Sequence, residues 1–69
     1  MDVIHKEYES RKSEIEIELE LLFKTNLKIT DWDIPETNDQ ESAEVLWNIL
    51  NNKLQAIKKD VDAKKYSQY

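Results

Sequence analysis

A chain of 69 residues without a single glycine has few ways of turning sharply. Tight two-residue hairpins and most left-handed turn positions need positive φ, which glycine adopts freely and other residues adopt at a cost. Any such turn here would have to use Asn or Asp, which weighs against a sheet-rich fold. One proline and no cysteine narrow the choice further, because neither a disulfide nor a thiolate metal site can brace so short a chain. A lone core below about 70–80 residues supplies only about 3–5 kcal/mol. Self-association or a partner protein is the remaining source of stability.

Turn-forming residues concentrate in one stretch, Thr25-Asn26 followed by Thr30 to Asp39, with Pro35 inside it. The expectation is one domain over residues 1–69: a helix over about 2–24, a connector over about 25–38, a helix over about 39–65 and a tail at 66–69. In the second segment Ala43, Trp47, Leu50, Leu54, Ile57 and Val61 step by four, three, four, three and four, the spacing of a packed helical seam that Leu46 and Ile49 widen. Thr37 with Gln40, and Asn38 with Glu41, are overlapping capping signals at its start. Glu41 and Glu44 near that start and Lys58, Lys59, Lys64 and Lys65 near the end complement the helix dipole.

The first segment carries a conflict. Glu14 to Leu21 alternates charged and apolar residues as a half-buried strand does, and Leu27 to Thr30 is a candidate hairpin partner, giving an α–β–β–α alternative. Against it, Glu favours helices, no breaker occurs between Met1 and Lys24, and Tyr8, Ile15, Leu19, Leu22 and Phe23 fit one helical face. The reading adopted is all-α: a two-helix antiparallel hairpin dimerising into a four-helix bundle, its apolar contacts drawn from Ile15, Leu19, Leu22, Trp47, Leu50, Leu54, Ile57 and Val61. As a helix, the segment places Ile17 and Leu21 about 200° and 240° around from Ile15, so it has two apolar surfaces. The residues assigned to a partner interface are Ile17, Leu21, Trp32, Ile34 and Trp47. Trp32, flanked by Asp31 and Asp33, is expected to tuck over the hairpin mouth with Ile29 and Ile34.

Residues 1–45 hold thirteen acidic and five basic side chains, and residues 46–69 hold two and five. An acidic half repels phosphate backbones and directs attention to protein partners; nucleic acid is not expected. Glu14, Glu16, Glu18, Glu20, Asp31 and Asp33 form the expected acidic face, and the alternative function is a nucleic-acid mimic that lays this face into a basic groove. The Lys pairs at 58–59 and 64–65 are read as dipole complements, with Asp60 and Asp62 among them.

No enzymatic activity is expected, and no catalytic, cofactor or metal residues are assigned. His5 is the single histidine, set beside Glu9 one turn on, and neither a nucleophile nor a second imidazole accompanies it. Paired carboxylates are too abundant to single out a pair for acid–base work. Glycine-dependent phosphate loops are excluded outright. No apolar run approaches the roughly 18 residues of a membrane helix, and residues 1–13 lack the basic start and apolar core of a signal peptide, so a soluble cytoplasmic protein is expected. Nine Lys against one Arg, with seven Ile and five Asn, match the codon usage of an AT-rich bacterial or phage genome. The expected function is a small acidic protein–protein interaction module, a regulatory or inhibitory subunit of antitoxin, immunity-protein or phage-inhibitor type.

Overall fold

A computed structural model describes residues 2–67. Two helices make up the fold, α1 (Val3–Asp33) and α2 (Asp39–Asp62), joined by residues 34–38. Among the described residues there is no strand, which removes the α–β–β–α alternative: Glu14 to Leu21 lies within α1. Alternating Glu and Ile or Leu satisfies both periods locally, and the helix preference of Glu with no breaker nearby decides the outcome.

The first helix begins at Asp2, whose Oδ1 accepts from the Ile4 amide at 2.8 Å. It then runs nine residues beyond the expected end at residue 24, through the Thr and Asn residues assigned to the connector. Their side chains bond back along the helix instead of turning it. Asn26 Nδ2 donates to the Leu22 carbonyl at 2.8 Å, and Thr30 Oγ1 donates to the Asn26 carbonyl at 3.1 Å. Apolar spacing continues meanwhile through Phe23, Leu27, Thr30 and Ile34. Pro35 supplies the real stop, because a residue preceding proline is driven out of the α region. Ile34 sits at φ −135°, ψ 81°, its amide still bonded to the Thr30 carbonyl at 2.8 Å.

Of the two overlapping capping signals, the fold uses the second: Asn38 Oδ1 accepts from the Glu41 amide at 3.0 Å, with Asp39 and Glu41 in the first turn. The second helix ends at Asp62, three residues before the expected boundary, and residues 63–67 form turns. Tyr69 and Gln68 of the expected tail lie outside the described residues. The termination is a Schellman motif: the Lys65 amide donates to the Asp60 carbonyl and the Lys64 amide to the Val61 carbonyl, both at 3.0 Å. That motif requires a left-handed residue, and Lys64 occupies the position at φ 61°, the one positive φ among the described residues. Neither Asn nor Asp is used.

The helices meet only near the connector. Phe23, Leu27 and Thr30 of α1 and Ser42, Ala43, Leu46, Leu50 and Asn51 of α2 are half-buried, whereas every residue from Asp2 to Leu22 is exposed. No described residue is fully buried. The expected seam is therefore only partly closed: Leu50 and Ala43 lie in it, while Trp47, Leu54, Ile57 and Val61 on α2 and Ile15, Leu19 and Leu22 on α1 remain exposed. Phe23, Leu27 and Leu46 take their place.

The dimensions reflect this. At 1.5 Å per residue α1 is about 46 Å long and α2 about 36 Å. The radius of gyration is 16.2 Å, against about 11 Å for a compact domain of this length. The accessible surface is 6570 Å². A compact monomer of this mass exposes about 4,600 Å², so roughly 2,000 Å² of surface is left over.

Candidate interaction surface

Three apolar surfaces follow from the helix periods. With Ile15 taken as zero, Ile4, Tyr8, Leu19, Leu22 and Ile29 lie within about 40° of it on the first stripe of α1. Ile17, Leu21 and Trp32 gather on a second stripe at about 200–260°, which exists as one surface because α1 continues through Asp33. Leu21 is 57% exposed and Trp32 78% exposed. The indole is thus displayed from the last turn of α1, and the expected cap over the mouth is not made by Trp32. A tryptophan in a connector could fold inward; one held on a helix face opposite the seam cannot.

The third surface lies on α2, where Leu54, Ile57 and Val61 extend the half-buried Leu46–Leu50 edge toward the open end of the hairpin. Trp47 stands at its margin, 55% exposed, rather than in the seam. Of the five residues assigned to a partner interface, Ile17, Leu21 and Trp32 are brought onto one face. Ile34 is instead beside Ile29 at the mouth, where a cavity of about 500 Å³ opens between the helices, lined also by Asn26, Glu41, Val45 and Ile49. Phe23 and Leu46, read from the sequence as members of the apolar faces, are half-buried here, and Leu27, read as part of a candidate strand, joins them, although the Phe23–Leu27–Thr30–Ile34 spacing was a readable signal.

Helicity divides the expected acidic face. Glu14 and Glu18 lie at about 260° and 300° on α1, Glu16 and Glu20 at about 100° and 140°, and Asp31 and Asp33 at about 160° and 0°, so no single face carries all six. Glu20 is paired with Lys24 at 3.0 Å. The Asp31 carboxyl meets that of Asp39 across the connector; their shared hydrogen bond, slight desolvation and mutual repulsion push Asp31 above the ordinary aspartate range.

All the ion pairs among the described residues are local to one helix or its ends. Arg11 Nε lies 3.1 Å from Glu7 Oε2, with its guanidinium 5.1 Å from the Tyr8 ring. Lys58 Nζ contacts Asp62 at 2.9 and 3.1 Å, and Lys65 contacts Asp60 at 3.2 Å, so the basic cluster is partly neutralised by the aspartates among it. The imidazole of His5 bonds to Asp2 at 3.2 Å rather than to Glu9. No described group of three or more His, Asp or Glu is arranged to hold a metal ion. No helix among the described residues is long and apolar enough to cross a membrane. Comparison with family models, with curated proteins and with solved structures finds no match to this chain.

Proposed function

We propose that the chain is a non-enzymatic interaction module: an acidic helical hairpin that dimerises into a four-helix bundle and serves as a regulatory or inhibitory subunit. That role is of the kind an antitoxin, an immunity protein or a phage-encoded inhibitor plays. The observation that carries the reading is the surplus surface. A chain with no buried residue among those described, and with Val3, Ile4, Tyr8, Ile15, Ile17, Leu19, Leu21 and Leu22 all exposed along α1, has not completed a core on its own. Two helices in contact share one seam, whereas four surround an interior. Covering about 2,000 Å² on each of two chains gives a total in the range of obligate dimers.

On this reading the stripes have separate tasks. The first stripe and the open end of α2 supply the shared core, and Ile17, Leu21 and Trp32 face outward toward the protein being regulated, Trp being a frequent interface anchor. Dividing the carboxylates between two sides of α1 withdraws support from the nucleic-acid mimic, which needs them on one.

Sedimentation equilibrium over a range of concentrations tests the proposal. A mass of two chains, held at elevated salt, is the expected result, because apolar burial is not screened. A monomer that melts cooperatively at every concentration would overturn it.

A further inference from the structure

The open end of the hairpin has a shape and charge that specify its occupant. Beyond Phe23 on α1 and Asn51 on α2, the two helices carry apolar stripes that are left exposed. The stripes differ in their borders. On α1, Glu16 and Glu18 flank Ile15, Leu19 and Leu22 at about 100° and 300°. On α2, with Val61 taken as zero, Leu54 and Ile57 lie at about 20° and 320°, and Lys58 and Lys53 flank them at about 60° and 280°. Neither Glu16, Glu18 nor Lys53 takes part in an ion pair among the described residues.

We infer that the partner seated in this open end is a second copy of the chain, inverted so that the two mouths point in opposite directions. The inference rests on the dimer proposed above and specifies its pairing. Inversion makes α1 of one copy run parallel to α2 of the other, bringing Ile15, Leu19 and Leu22 against Leu54, Ile57 and Val61. Glu16 and Glu18 then border the same seam as Lys53 and Lys58 of the other copy, as charged positions border the core of a coiled coil. Pairing α1 with α1 would instead set Glu against Glu. A two-fold axis repeats the contact, so each dimer contains it twice. Closing the hairpin within one chain satisfies the charges as well, but two helices still enclose no interior, and the surplus surface requires one.

The test uses the full chain. By sedimentation equilibrium, Leu19→Glu and Leu54→Glu should each weaken the dimer at least about tenfold, because a carboxylate enters an apolar seam, while Leu21→Glu on the outer stripe should leave it unchanged. Glu16→Lys and Lys53→Glu, which border the same side of the seam, should each weaken self-association, since each homodimer then carries like charges across both seams. Mixing those two variants should restore a stable heterodimer, in which both seams again pair opposite charges; charges paired within one chain give no such rescue. A wild-type dimer that Leu21→Glu dissolves and Leu19→Glu does not would overturn this pairing while leaving the dimer standing. Failure of the mixed variants to rescue would also overturn it. A wild-type monomer would remove both the pairing and the dimer.

Discussion

α1 and α2 have the same average hydropathy, but they distribute it differently. α2 keeps its apolar residues on one side, begins with an Asn cap and two acidic residues, and has Lys59 in its last turn. α1 scatters its apolar residues around the circumference, has no acidic residue in its first turn and no basic one in its last. One neighbour can satisfy a one-sided helix. A helix with apolar residues on two sides needs two, and within a single hairpin α1 has one, over only its final third. The contrast separates helices that form because their own signals agree from helices that persist because tertiary contacts and local back-bonding hold them.

The largest effect should come from breaking α1 where the sequence first suggested it would end. Asn26→Pro removes the bond to the Leu22 carbonyl and sets a ring against it, costing about 3 kcal/mol. Circular dichroism should lose helix corresponding to residues 27–33, and the fluorescence of the two tryptophans should change as Trp32 leaves its stripe. An Asn26→Pro chain with unaltered helix content would show that the far end of α1 is held by something other than continuity.

Next, truncations on either side of the point where the helices part should differ. Phe23→Ala at the half-buried mouth should cost about 1.5–2.5 kcal/mol, roughly half the figure for a fully buried Phe. Leu22→Ala, one residue away but exposed, should cost little in dilute solution and more as concentration rises and the dimer fills. Urea titrations at two protein concentrations measure both. Equal losses at both sites and both concentrations would erase the division between mouth and open end.

α2 offers a change of opposite sign. Lys64 holds the left-handed position of its terminating motif, a conformation that costs a residue with a Cβ about 1 kcal/mol. Lys64→Gly should therefore raise stability by about 0.5–1 kcal/mol, visible as a higher melting temperature. A lower melting temperature would mean that the Lys64 side chain is worth more than the strain it imposes.

The smallest effect concerns acidity at the mouth. Because Asp31 is raised in the folded chain, its contribution favours folding at acidic pH, where its protonated carboxyl faces Asp39, and is lost as pH rises through the folded value and Asp31 becomes charged. Other carboxylates superimpose their own pH dependence, so the informative quantity is the difference between chains. Asp31→Asn should raise the melting temperature slightly at neutral pH and leave it nearly unchanged below the carboxylate range. A uniform shift at every pH would mean that the pair contributes nothing.

Much of the fold was readable where several local signals coincided. At the start of α2, two overlapping caps one residue apart, the acids of the first turn and the apolar period all pointed to a helix from about Asp39, and the fold takes the Asn38 cap and begins there. The end of α1 was not readable by residue type, because Asn26 and Thr30 turn a chain when their side chains bond forward and lengthen a helix when they bond backward. Only Pro35 is unambiguous. The end of α2 was misplaced because a left-handed Lys leaves no mark in the sequence that a Gly would have left. Of the candidate surface, the alignment of Ile17 with Leu21 was legible from the period alone. Trp32 joined them only once the helix was known to continue, and the failure of Leu54, Ile57 and Val61 to find a partner depends on where two rigid helices part.

The connector of residues 34–38 is short, and nearly everything the chain touches in itself lies within a helix or just across that connector. Few long loops have to be closed, so joining the two helices at their mouth is a fast, unimolecular event. In the proposed dimer, ordering the far end is different, since there it waits on a collision between two molecules and slows with dilution. Newly made chains would therefore pass through a period in which residues 3–22 are helical by propensity alone and open to exchange or proteolysis. The lifetime of that period is set by how much of the protein the cell has already made.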